Sequence, residues 1–150
     1  MGHLRYWQDK YKEKLIKVHG THWRKAFNDI MQKTRTLKAS LKKRSRDSDV
    51  FCNITITDLR EMILEVYGTK CNYCKLFLNK KNMVCDHIIP IFNKGESTKE
   101  NLQFICARCN TRKGPLTDEE YVFVLNWVKQ QPANVRDYIL RKLSRGDVFR

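Results

Sequence analysis

No run of consecutive apolar residues approaches the roughly 18 that a membrane-crossing helix needs, which excludes a spanning segment of that kind. The stretch Met1 to Glu13 is polar and charged throughout, with no apolar core and no small-residue cleavage site, so it does not read as a secretory signal. The expectation is therefore a cytoplasmic protein, of a bacterium or a phage-infected host cell, in a reducing compartment. Proline (3) and glycine (6) are scarce and no internal repeat is visible, which argues against a fibrous or low-complexity chain. Acidic residues are also few, 16 against 30 Lys and Arg, for a formal net charge of +14. Residues 1–50 alone hold 14 basic and 5 acidic groups, and residues 71–114 hold 8 and 3. So one-sided a field predicts a polyanionic partner, because each neutralised phosphate releases condensed counterions. A membrane surface fits less well, since no segment joins a Lys-rich face to a strongly apolar one.

What the chain has is helix-forming sequence at both ends. At 150 residues it fits one ordinary domain with an appended arm. Residues 3–46 carry apolar groups at three- and four-residue steps: Trp7, Tyr11, Leu15 and Val18, then Trp23, Phe27, Ile30, Met31 and Thr34. Gly20-Thr21 separates two helices, with Thr21 as the expected N-cap. Basic residues crowd together at Lys42, Lys43, Arg44 and Arg46, which we read as a phosphate-tracking stripe, and Arg44 to Val50 reads as a linker. This divides the chain into a basic helical arm, residues 1–50, and a second unit, residues 51–150, whose core is residues 69–114. The arm either docks on that core or orders only on its partner; the sequence leaves both open. Residues 57–67 form another helix, capped by Thr57 and ended by Gly68. Thr117 and Glu120 form a capping box before an apolar face of Val122, Leu125 and Val128. Pro132 interrupts, and a last helix runs through Val135, Ile139, Leu140 and Leu143 towards Gly146.

Six cysteines in a reducing compartment point to metal or catalysis rather than disulfides. Cys71-Asn-Tyr-Cys74 and Cys106-Ala-Arg-Cys109 are two C-x-x-C knuckles with 31 residues between them. Four thiolates from two knuckles close a tetrahedral Zn²⁺ site with no open coordination position, so the predicted zinc is structural. Cys52 and Cys85 have no knuckle partner and read as buried thiols. Between the knuckles, Met83-Val-Cys-Asp-His-Ile-Ile-Pro90 is an apolar strand with an acid and an imidazole in its middle, a costly pair to bury unless it faces a cleft, a metal or each other. A polar loop with Gly95 follows, then Asn101-Leu-Gln-Phe-Ile105 alternates like a second strand, and Cys106 to Lys113 can begin a helix. The expected class is α+β: a small ββα core pinned by the four-cysteine site and flanked by N- and C-terminal helices.

The run C-x-x-C, DHIIP, Gly-containing loop, NLQFIC and ARCNTRK, over roughly residues 70–114, resembles the HNH endonuclease family, whose core is a ββα-metal fold. The resemblance implies a metal-dependent hydrolase of phosphodiester bonds in double-stranded DNA, leaving 5′-phosphate and 3′-hydroxyl ends. It makes Asp86 a metal ligand, His87 the general base towards water, and Asn101 the residue that holds the His87 loop and ring. Asn110 becomes a second metal ligand. Many members have His at that position; an Asp86–Asn110 oxygen pair suits Mg²⁺ or Mn²⁺. Arg108, Arg112 and Lys113 lie where they could clamp flanking phosphates. A small member with a basic arm resembles phage or intron-encoded homing enzymes and small restriction endonucleases alike. Monomer and homodimer, nicking and double-strand cleavage, stay open, as does the recognised DNA sequence. Two other readings remain: a non-catalytic zinc-ribbon module that binds DNA, and an RNA-directed protein.

Overall fold

A computed structural model describes residues 2–146. Two long helices come first, α1 (Gly2–His19) and α2 (Trp23–Asp47), joined by a 3-10 turn at Gly20–His22. Gly20 takes a positive φ of 55° to make the corner. The turn feeds straight into α2, and the Trp23 amide already bonds the Gly20 carbonyl. Thr21 therefore does not cap α2; the N-cap is His22, which makes no side-chain capping bond.

Trp7, Tyr11 and Leu15 of α1 are buried, whereas Val18 is exposed and lies outside the stripe expected for it. In α2 the buried residues Trp23, Ala26, Phe27, Ile30, Met31, Thr34, Leu41 and Ser45 keep helical spacing along its whole length. No linker begins at Arg44: α2 continues to Asp47, and the Val50 amide bonds back to the Ser45 carbonyl.

Helix α3 (Ile56–Val66) starts one residue earlier than expected. Its N-cap is Thr55, not Thr57, because Asp58 stands at the third helical position and closes a reciprocal capping box: the Asp58 amide donates to Thr55 Oγ1 at 3.0 Å and the Thr55 amide to Asp58 Oδ2 at 3.0 Å. Leu59, Ile63 and Leu64 of α3 join α1, α2 and the knuckle segment in one apolar core. The arm is thus docked. Lys14 donates to the Leu64 carbonyl at 3.0 Å, and Lys33 to the Met83 carbonyl at 2.7 Å, so part of the basic charge serves packing.

The antiparallel hairpin of β1 (Met83–His87) and β2 (Leu102–Cys106) follows, in the register Met83 to Cys106, Asp86 to Gln103 and His87 to Leu102. Helix α4 (Ala107–Lys113) leaves β2 directly, with Cys106 as its N-cap, and completes the ββα unit. Helices α5 (Asp118–Lys129) and α6 (Ala133–Ser144) close the chain. The Thr117–Glu120 capping box is present in both directions. The buried face of α5 is Tyr121 and Val128 with Leu125 half-buried, while Val122 points out. Tyr121 takes the inner position because its ring packs edge-on against Tyr73, centroids 4.8 Å apart. In α6, Ile139, Leu140 and Leu143 are half-buried and Val135 is exposed. No described helix is long and apolar enough to cross a membrane.

Candidate active site and metal centre

The knuckles meet at one end of the hairpin. The sulfurs of Cys71, Cys74, Cys106 and Cys109 all lie within 4.8 Å of one another, with Cys74 and Cys106 at 3.5 Å. Thiolates about 2.3 Å from a tetrahedral zinc sit about 3.8 Å apart, so the donor set fits that ion. Burial raises the Cys74 thiol, yet the Leu76 amide, the Arg108 guanidinium and the Cys106 and Cys109 thiols outweigh it and bring Cys74 down to about 6. Burial dominates at Cys106 and Cys109 and raises both. Metal binding would displace those protons.

The opposite end of the hairpin carries the acid and the imidazole. Asp86 and His87, the last residues of β1, line one cleft together with Arg44, Asp47 and Ser48 of the α2 end and with Pro90 and Ile91 of the loop. The Asp86 carboxylate receives the Lys113 ammonium at 3.0 Å and the Gln103 amide at 3.1 Å. Both donors share Oδ2, which leaves Oδ1 to a further ligand. Gln103 also donates to the Tyr73 hydroxyl (2.8 Å) and to Asp118 (3.2 Å), and Tyr73 donates to Asp118. Asp86 is thereby tied to the start of α5. Burial and Asp118 raise the Tyr73 hydroxyl far above its ordinary range, so it stays a donor.

His87 is only 5% exposed. Burial, Arg44 and Lys113 depress it to about 4, so its imidazole is neutral at physiological pH. Its Nε2 bonds the Ser97 hydroxyl at 2.9 Å. Cys85, next along β1, is pushed up to about 12 by burial, only partly offset by Arg44. That thiol stays protonated at neutral pH, although Cys85, like Cys52, is half-buried rather than buried as expected.

Asn101 staples the loop between the strands. Its side chain accepts from the Ile89 amide at 2.8 Å and donates to the carbonyls of Ile89 (3.0 Å) and Glu96 (2.8 Å), while its own carbonyl accepts from the Ile88 amide. These bonds cross the loop, whereas the partner of the His87 ring is Ser97. The loop is tight enough that a Cβ on Gly95 would come within 1.7 Å of the Ile89 carbonyl oxygen, so no side chain fits there.

Asn110 lies half-buried on α4, one turn before Lys113 and so on the same helix face. Lys113 does not present itself to a flanking phosphate: its side chain is fully buried, donating to the His87 carbonyl at 2.7 Å and pairing with Asp86. Arg112 is also engaged, donating to Ser144 at 2.6 Å, and Arg108 sits exposed beside the Cys74 sulfur. Lys42, Lys43 and Arg46 are exposed, with Lys43 paired to Asp47 at 2.6 Å. Arg44, from the same run, faces the cleft itself.

Sequence reading missed Gln103, Tyr73 with Asp118, and the pair Ser45 and Ser97. Gln103 had a usable signal: it is the polar residue of β2 opposite Asp86 once the hairpin is put in register. The two serines had none.

No curated protein matches the chain. Residues 71–116, from the first knuckle to just past α4, match the family model of the HNH endonucleases, so the site-bearing part of this chain is similar to that family.

Proposed function

We propose that this protein is a metal-dependent DNA endonuclease that hydrolyses phosphodiester bonds to 5′-phosphate and 3′-hydroxyl ends. The observation that carries the reading is the cleft in which Asp86, a neutral His87 and Arg44 face one another. A divalent ion, Mg²⁺ or Mn²⁺, would be held by Asp86 and Asn110, a sparse oxygen set of the kind completed by water and phosphate oxygens. When bound, such an ion supplies charge neutralisation at the scissile phosphate and at the departing 3′ oxygen.

The remaining work falls to the chain. His87 takes a proton from the attacking water, for which its lone pair is free at neutral pH. Lys113 and Gln103 hold Asp86 by one oxygen. Asn101 keeps the loop closed behind the base. Arg44 clamps a phosphate oxygen at the cleft, and Lys42, Lys43 and Arg46 follow the flanking backbone. The Cys71, Cys74, Cys106 and Cys109 cage, whose sulfurs lie within 4.8 Å of one another, would hold Zn²⁺ and so fix the far end of the hairpin.

Supercoiled plasmid incubated with Mg²⁺, Mn²⁺ or EDTA, beside a His87→Ala variant of unchanged zinc content, tests this. Metal-dependent nicked or linear DNA that disappears in the variant is the expected result. DNA that is bound but never cut, across a diverse set of sequences and both ions, would replace the reading with that of a zinc-ribbon binding module. Cleavage of RNA in preference to DNA would replace the substrate.

A further inference from the structure

Against the His87 ring stand two buried hydroxyls. Ser97, fully buried in the loop before β2, contacts His87 Nε2 at 2.9 Å and Ser45 Oγ at 2.7 Å. Ser45, 1% exposed, belongs to α2, 52 residues away in sequence. The segment that links them holds Ser97 by its backbone as well: the Ser97 amide donates to the Phe51 carbonyl at 2.9 Å, and the Ile54 amide to the Ser97 carbonyl at 3.2 Å. The Ser45 carbonyl in turn accepts from the Val50 amide. A hydroxyl so constrained has little freedom to turn, and it meets the imidazole of a residue that is only 5% exposed.

We propose that Ser97, backed by Ser45, is the positioning residue that fixes His87 with its proton on Nε2 and leaves Nδ1 as the nitrogen that faces water. The inference rests on the reading of His87 as general base. The hydrogens are accounted for along the chain. A serine hydroxyl has one proton and two acceptor lone pairs. Ser97 accepts from the Nε2 proton and gives its own proton to Ser45 Oγ. The same Nε2 bond persists when Nδ1 has taken a proton from water, and it then carries part of the imidazolium charge into a buried hydroxyl pair. One consequence follows for the architecture: α2 belongs to the catalytic centre, supplying Ser45 behind the base and Arg44 in front of it.

Two measurements test the proposal. The first is ¹⁵N–¹H NMR of the His87 ring in the zinc-loaded wild-type protein at neutral pH, where Nε2 is expected to carry the proton. An Nδ1-protonated ring, or a mixture of both forms, overturns the proposal without any variant being made. The second is DNA cleavage by wild type, Ser97→Ala, Ser45→Ala and His87→Ala, each with its zinc content and unfolding temperature recorded. Ser97→Ala is expected to lower kcat by about 10- to 100-fold with KM unchanged, and Ser45→Ala to lower it by less. A folded Ser97→Ala protein with wild-type kcat overturns the proposal and leaves the nuclease reading standing. A His87→Ala protein as active as wild type sinks the nuclease reading instead, whatever the serine variants do.

Discussion

At one end of the β1–β2 hairpin, beside Met83 and Cys106, four like sulfurs close on one another; at the other end, beside His87 and Leu102, a carboxylate, an imidazole and a guanidinium line an open cleft. Five paired residues separate the ends, about 13 Å at the rise of a strand. The cage draws its members from two short motifs, each with two residues between its ligands. The cleft is lined from α2, β1 and the loop, with Gln103 of β2 and Lys113 of α4 holding Asp86. A closed, homogeneous site stabilises; an open, heterogeneous one leaves positions for substrate. The hairpin carries both because its two ends are held by different neighbours.

The largest effect should come from the cage. Structural zinc in small modules contributes about 10–16 kcal/mol of apparent binding free energy, which matches or exceeds the roughly 5–15 kcal/mol stability of a whole domain. Cys109→Ser is therefore expected to unfold residues 71–116 and abolish cleavage, with loss of zinc in metal analysis and of cooperative melting. If Cys109→Ser instead melts like wild type, the contrast between the two ends is wrong.

His87→Ala should separate the ends the other way. Its cleavage rate is expected to fall by about 100- to 10,000-fold, the usual range for a lost acid–base group, with zinc content and folding retained. Lys113→Met lies between the two, since it strands the Asp86 carboxylate, whose side chain is only 11% exposed. A cost of about 3–5 kcal/mol is expected from breaking such a pair, read as a lower midpoint in urea with the m-value unchanged.

Acid should weaken the cleft end before the pH of ordinary acid denaturation. The His87 imidazole is depressed from its ordinary value to about 4, so it favours the folded state fully above the unfolded value. That contribution is lost as pH falls from about 6.5 through 4 and amounts to about 3 kcal/mol at most. A His87→Gln variant should show a flatter stability curve across that window. The smallest effect concerns the stripe on α2. Each phosphate contact removed from Lys42, Lys43 or Arg46 should reduce the slope of log K against log salt by about 0.9, with no change in melting temperature.

The same contrast explains what the sequence disclosed. The cage, the two strands and α4 were legible because their signals are local: paired knuckles, an alternating strand, a Cys-led helix. The roles expected of Asp86, His87, Asn101 and Asn110 came from the family resemblance, which rests on motif order. Lys113 was misassigned to the surface because a charge in a basic run carries no mark of burial, and only the fold reveals that it ends against Asp86. Arg44 was seen as one of several backbone contacts, and Ser45 as part of a linker, because placing them in the site requires knowing that α2 runs through to Asp47 and docks on the loop. Thr57 reads as the cap in place of Thr55 because the signal for the earlier start is the reciprocal bonding between Asp58 and Thr55.

The most direct test of a structural metal at one end and a hydrolytic site at the other is cleavage measured at constant zinc content. Protein carrying one zinc per chain and no other divalent ion is assayed on plasmid DNA, then again after Mg²⁺ or Mn²⁺ is added. The account predicts no cleavage at first, and cleavage on addition with the zinc unchanged. Full activity with that single zinc alone, or activity that rises only with a second zinc, would contradict it.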